Sequence, residues 1–311
     1  MDKVKNILAI RNDRLGEFLL CIPAFRALKE SFPGAKLTLA VDPYLLELAK
    51  CIDGVDEVIP WEGKKRKFSE LLDISRELKK RKFDLCVIFN PTREANLASF
   101  LGGVPKRVGY SRKWGFLLTH KMKDLKNLGQ RHEVEYNLEL AALAGARTQD
   151  KALLLKIADI RPDCGIVAIH PWTSDPVKQW PIENFRELAA KLAEEMGRKV
   201  VILGGKENMA LAAKYFSGLG KNVIDLTGKT GLLELAKAIK SSGLLVSGDS
   251  GPVHLSCAVG TPVVALFRND LPGKTAKRWG PWAGNSAVIE KNSLAGITVD
   301  EVLNKIKEMS V

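Results

Sequence analysis

Residues Leu244 to Phe267 read LLVSGDSGPVHLSCAVGTPVVALF, a strand, a loop, a helix and a second strand. Leu244 to Ser247 is an apolar run of strand length, and Gly248-Asp249-Ser250-Gly251 is a tight polar loop. Pro252 suits the first turn of a helix, where its missing N–H costs nothing, and Gly260 suits the C-terminal cap after Val259. Thr261 to Phe267 then resumes as strand. Such a turn aims free backbone N–H groups and the positive end of a helix at one point, where a phosphate is the natural occupant. The alternative is a well-capped βαβ turn without a ligand, because no strict phosphate-binding fingerprint is met.

The same alternation runs through the chain. Ile7 to Ile10 is an apolar strand, followed by the polar loop Arg11-Asn12-Asp13-Arg14-Leu15-Gly16. A helix is predicted from near Glu17 to Pro33-Gly34, with Phe18, Leu19, Ile22, Phe25 and Leu28 on one face. Further strands are predicted at Leu37–Val41, Glu57–Ile59, Leu85–Phe89, Ile166–Ile169, Lys199–Leu203 and Val223–Leu226. Amphipathic helices lie between them, and Val299 to Met309 forms a last one. Alternation of this kind predicts an α/β protein of parallel sheets with helices on both faces. Gly145 to Asp163 reads as the hinge. The expected division is an N-terminal doubly wound domain over 1–155 and a C-terminal one over 156–311, with the last helix packing back on the first. Two such sheets facing each other would line one central cleft with their strand-end loops.

A chain of 311 residues, 46% hydrophobic and 27% charged, is an ordinary globular composition with room for two cores. No apolar run is long enough to span a bilayer, and the N-terminus carries no signal-peptide pattern. The five cysteines are scattered without metal spacing and read as reduced core residues of a cytoplasmic protein. The net charge of +12 is uneven, with eight basic residues against one acid between Leu101 and Arg131 and a second cluster at Lys64-Lys65-Arg66-Lys67. A solvated surface accounts for such runs, as do a polyanionic substrate or an anionic membrane. Nucleic acid is disfavoured, because the basic stretches lack interleaved aromatic stacking platforms.

The strand-end loops carry the candidate chemistry. Glu17 stands at a helix N-terminus, where the dipole favours a carboxylate available as a base; an ordinary first-turn glutamate is the alternative. Lys178, between Trp180 and two prolines in an irregular loop, suits a cation held over a phosphate, with Thr173 and Ser174 as hydroxyl donors. Glu207, after two glycines at a strand end, is placed for vicinal ribose hydroxyls, and Asp249 for sugar hydroxyls. Two motifs fail. Gly248-Asp249-Ser250-Gly251 matches a trypsin-like nucleophile tetrad, but such proteases are β-barrels. Gly228-Lys229-Thr230 echoes a P-loop whose first glycine is replaced by Val223.

Six blocks in order carry a resemblance: Arg11–Glu17 with Pro23-Ala24; Lys106–Tyr110; His132–Glu135; Lys178–Pro181; Asp225–Thr230; and Asp249–Leu255 with Gly260–Phe267. On these the chain resembles the lipopolysaccharide heptosyltransferases of glycosyltransferase family 9. The resemblance implies a GT-B type pair of Rossmann-like domains, the nucleotide-sugar donor on the C-terminal one and the acceptor on the N-terminal one. It implies an inverting transfer of a heptose-like sugar from an ADP-sugar to a lipid A–Kdo-like inner-core acceptor, without a metal or other cofactor. Glu17 occupies the base position, where aspartate is usual. Lys178 and the Ser250/Gly251/Pro252 helix start match the diphosphate contacts, Glu207 the ribose-binding acid, and Asp249 and His254 residues near the donor sugar.

On this reading Lys178 joins Glu17 in catalysis by offsetting charge on the leaving group. Arg107, Arg112, Lys113 and Lys121 would hold acceptor phosphates at the inner-leaflet surface, and Arg11 and Arg14 would reach acceptor anions beside the base. A monomeric, cytoplasmic protein, peripheral on the inner membrane, is expected. Another sugar donor or acceptor, or a catalytically silent nucleotide-sugar binder, is the alternative.

Overall fold

The computed structural model describes residues 4–63 and 68–309. The basic run Lys64–Lys67 therefore lies outside the described residues. The chain divides into two compact units, Met1–Asn127 with Glu133–Ala152, and Leu128–His132 with Leu153–Val311. The boundary thus falls a few residues before the expected one, and one short loop segment belongs with the second unit.

In the first unit the strands are β1 (Asn6–Ile10), β2 (Lys36–Val41), β3 (Glu57–Pro60), β4 (Leu85–Ile88), β5 (Lys106–Tyr110) and β6 (His120–Met122). They pair in the order β3-β2-β1-β4-β5-β6, parallel throughout. The second unit has β7 (Asp163–His170), β8 (Lys199–Ile202), β9 (Val223–Asp225), β10 (Ser242–Gly248), β11 (Val263–Arg268) and β12 (Ser286–Lys291). Their order, β12-β11-β10-β7-β8-β9, is the same Rossmann order counted within the unit, again all parallel. In each sheet the order reverses between the first and fourth strands, between β1 and β4 and between β7 and β10. The crevice outside the carboxyl ends of those strands is where such sheets bind ligands.

Strands β1, β4, β10 and β11 are buried along nearly their whole length, which is why they read as continuous apolar runs. The opening stretch folds as its punctuation dictates. The helix Gly251–Val259 takes Pro252 in its first turn, and Gly260 closes it at φ 81°, a left-handed conformation that costs glycine little. The predicted helix after β1 is instead two, Leu15–Leu19 and Ile22–Ser31, broken at Leu20-Cys21. Pro23 has no N–H to continue a ladder and so opens the second helix.

The last helix, Val299–Glu308, lays Val299, Val302, Leu303 and Ile306 into the core around Phe185, Leu188 and Leu192. Its apolar stripe is satisfied within the second unit. Cys21, Cys86 and Cys257 are buried, whereas Cys51 is half-buried and Cys164 exposed, so the cysteines are not all core residues.

Candidate active site

Both switch points collect polar side chains, of different kinds. After β1, the Arg11 guanidinium is only 3% exposed, with Nη1 donating to the Phe89 carbonyl at 3.1 Å and Nε 2.8 Å from Asp13 Oδ1. Burial alone would lower the Arg11 pKa, but Asp13, Cys21, Glu133 and Glu17 outweigh it and hold the guanidinium above its ordinary range. Burial pushes the Asp13 carboxyl up to about 6, against the pull of Arg11 and with the nearby Glu17 adding to it. The neighbouring Asn12 accepts from Asn90 Nδ2, across the switch point, at 3.1 Å.

Behind this loop Lys126 Nζ sits 2.5 Å from Glu133 Oε1, 3.5 Å from Asn137 Oδ1 and 4.7 Å from the centroid of the Tyr110 ring. Asn137 Nδ2 in turn donates to the Leu20 carbonyl at 3.0 Å, which ties the break between the two helices to this cluster. Burial pushes the Lys126 ammonium below its usual range, with Glu133 opposing. Glu17 lies in the first turn of the short helix above these groups, half-buried, while Arg14 is exposed.

After β7 the chain runs irregularly to the helix Ile182–Glu194, and two tryptophans fix this loop. Trp172 Nε1 donates to the Leu203 carbonyl at 2.9 Å. Trp180, fully buried and edge-on to Phe185, donates to the Ile297 carbonyl at 3.0 Å. Gln179 Nε2 closes the loop on the Pro171 carbonyl at 2.6 Å, and Thr173 Oγ1 donates to the Asp175 carbonyl at 2.9 Å. Lys178 is thereby held at the end of β10, where its ammonium pairs with the Asp249 carboxylate. Both side chains are mostly buried, so this pair is shielded from salt more than a surface pair.

Ser250 stands at the N-cap of Gly251–Val259 but does not cap the helix with its side chain. Its Oγ instead lies 2.9 Å from Ser247 Oγ and 3.4 Å from His170 Nδ1. Burial pushes the His170 imidazole down to about 4, so it is neutral at pH 7. His254, one turn into the helix, is buried, and Ser174 is exposed. Glu207 is exposed beside Gly205, where a Cβ would come within 2.3 Å of Glu207 Oε1. At Gly204 a Cβ would come within 2.3 Å of Trp172 Nε1, so the strand end and the tryptophan loop meet only because glycine is there.

The structure thus brings Thr173, Lys178, Asp249, Ser250, Gly251 and Pro252 to one switch point, and Glu17 to the other. The expected acceptor residues fare differently. Arg11 does not reach outward, because the strand-end carbonyl and Asp13 use its guanidinium. Arg107 is likewise engaged: Nε donates to the Leu117 carbonyl at 2.9 Å, Nη1 donates to Val104, and the group stacks 5.4 Å from the Phe100 ring centroid. Arg112 is half-exposed and paired with Asp124 at 2.7 Å, and Lys113 and Lys121 are exposed. His170, Ser247, Asp13 and the Lys126–Glu133 pair were not among the candidate site residues read from sequence. His170 was visible only as the residue following the predicted strand Ile166–Ile169, and nothing in sequence reports that its imidazole stays neutral.

Two doubly wound parallel units of this order make the GT-B fold. A model of glycosyltransferase family 9 (heptosyltransferase) matches residues 71–303, and the chain belongs to that family. It is 22% identical to lipopolysaccharide heptosyltransferase 2 of Escherichia coli, over 86% of this chain and 84% of that one. Among solved structures it is similar to a glycosyl transferase family 9 protein from Veillonella parvula, with TM-score 0.86, 21% identity and coverage of 99% of this chain and 98% of that one. It is also similar to Escherichia coli heptosyltransferase WaaC with ADP, with TM-score 0.81, 20% identity and coverage of 98% and 99%. The chain is therefore a glycosyltransferase.

Proposed function

We propose that this enzyme moves a heptose-like sugar from an ADP-sugar to an anionic inner-core lipopolysaccharide acceptor, lipid A–Kdo-like in chemistry, with inversion at the anomeric carbon. The observation that carries the donor half is the ammonium of Lys178, paired with Asp249 just ahead of the helix Gly251–Val259, whose N-cap Ser250 lies beside a neutral His170. A diphosphate docked there meets a cation, a helix dipole and hydroxyl donors together. Glu207, exposed over Gly205, takes ribose hydroxyls in this reading, and Asp249 and His254 face the donor sugar. Heptosyltransferase names among relatives and a bound ADP in a structural neighbour support the choice of donor.

In the reaction, Glu17 accepts the proton of the acceptor hydroxyl as its oxygen attacks the anomeric carbon. The bond to the diphosphate breaks on the opposite face, and Lys178 with the helix N–H groups stabilises the departing charge, so no divalent ion is required. Arg14, Arg112, Lys113 and Lys121 remain as exposed cations for the acceptor's anions. The test is product analysis with ADP-heptose and a Kdo-bearing acceptor, with and without chelator. Transfer giving the inverted anomer in chelator supports the reading; turnover only with another nucleotide-sugar moves the donor assignment.

A further inference from the structure

The first unit carries an exposed aromatic turn that the transfer chemistry leaves unused. Between β5 and β6, Trp114 is 41% exposed and Phe116 is 72% exposed, with their ring centroids 6.4 Å apart. Phe100, on the adjoining helix Arg93–Leu101, is 46% exposed. Large apolar side chains gathered at one surface point call for a partner, whereas single ones do not.

This turn is built. Lys113 and Trp114 both adopt positive φ, 47° and 69°, a conformation rare for residues with side chains and rarer in succession. The buried Asn96 holds it there, donating through Nδ2 to the Lys113 carbonyl at 2.8 Å and to the Arg112 carbonyl at 3.4 Å. Gly115 lies so close to β5 that a Cβ would approach the Tyr110 carbonyl oxygen to 2.8 Å. Leu118, two residues after Phe116, is buried in the core of the unit. Asn96, Gly115 and Leu118 pin the two sides of the turn while its aromatic tip faces outward.

The surroundings are cationic. Arg93 stacks 6.0 Å from the Trp114 ring centroid and Arg107 5.4 Å from that of Phe100, and Arg112, Lys113, Lys121 and Lys123 are exposed nearby in sequence. Aromatic rings at headgroup depth with lysines and arginines around them match an anionic bilayer surface in both polarity and charge. Trp114 and Phe116 correct the expectation that the basic stretches lack interleaved aromatics; against a nucleic acid stand the guanidinium groups of Arg93 and Arg107, which already lie over the Trp114 and Phe100 rings.

We infer that the Trp114–Phe116 turn inserts into the headgroup region of an anionic membrane and docks the first unit there. The inference stands on the turn itself, independently of which sugar is transferred. The test is co-sedimentation of the full chain with vesicles of phosphatidylglycerol and phosphatidylcholine, free of glycolipid, against phosphatidylcholine alone. Wild type is expected on the phosphatidylglycerol vesicles and to leave them as salt rises. Trp114→Ser with Phe116→Ser should lower partitioning by about tenfold or more, from lost apolar burial, and Phe116→Leu should keep most of it.

Brominated lipid should quench wild-type tryptophan fluorescence, and Trp114→Phe should remove that quenching. Because Phe116 projects from the fold, Phe116→Ser alone supplies the answer if the double variant is unstable. Wild type staying in the supernatant, variants that bind equally well, or capture only by RNA or a soluble anionic glycan would overturn the inference. ADP binding measured on the same samples separates the two claims. Vesicle binding without ADP binding breaks only the donor assignment, and the reverse breaks only the membrane one.

Discussion

At the switch point after β1, carboxylates gather against a buried guanidinium; at the one between β7 and β10, an ammonium lies beside a helix N-terminus and a neutral imidazole. The sheet order is the same in both units. The difference lies in the loops, and it shows how one topology supports sites of different chemistry. In the first unit the buried charges are matched in pairs, Arg11 with Asp13 and Lys126 with Glu133, beneath a half-buried Glu17. In the second, the half-buried His170 stays neutral well below pH 7, and Lys178 pairs with Asp249 just ahead of a helix whose N-cap Ser250 makes no side-chain cap. The first arrangement suits proton transfer and the second suits a diphosphate.

The comparison breaks most directly at Glu17. Glu17→Gln should lower turnover by about 10²- to 10⁴-fold, the range for loss of a general base. ADP affinity, a property of the other unit, should stay within about twofold of wild type, since Glu17 has no part in the proposed diphosphate contacts. Steady-state kinetics and calorimetry on one preparation check both halves, and equal losses in the two would abolish the division of labour.

Matched pairing in the first unit is tested by Glu133→Gln, which leaves the Lys126 ammonium buried without its countercharge. Denaturant unfolding should show a loss of about 3–5 kcal/mol, the usual cost of breaking a buried pair from one side. Adding Lys126→Met should recover most of it. A single variant as stable as wild type would show that the pair does not organise this cluster.

The neutral imidazole in the second unit gives a pH signature. A histidine near 6.5 unfolded and about 4 folded contributes stability that is complete above pH 6.5 and is lost as pH falls toward 4. Between pH 6.5 and 5 that loss is about 2 kcal/mol. Thermal unfolding of His170→Gln should therefore change less than wild type between pH 7 and 5; an unchanged slope would place the acid sensitivity elsewhere.

Much of this was legible in the residues, for physical reasons that also explain the gaps. The β10–helix–β11 turn could be read because Pro252 and Gly260 each fit one place in a helix. The β7 loop could be read because Lys178 and Trp180 sit between prolines. Strands β5 and β6 were hidden, because Lys-Arg-Val-Gly-Tyr and His-Lys-Met near a sheet edge carry charged side chains and show no apolar run. The split after Leu19 turned on reading Pro23 as a helix start when the apolar period continues across it. Arg11 and Arg107 looked like arms for an acceptor, but charge in a sequence does not say whether a guanidinium meets solvent or a backbone carbonyl. His170, Ser247 and Asn96 act through neighbours distant in the chain, and only the fold joins them.

The most direct test of the account is calorimetric titration of ADP and UDP, without added metal, into wild type and Lys178→Ala. The account predicts ADP binding to wild type and a loss of roughly tenfold or more in the variant, the weight of one charge-assisted contact. Folded wild-type protein that binds neither nucleotide, or a Lys178→Ala variant that binds ADP as tightly, would contradict it.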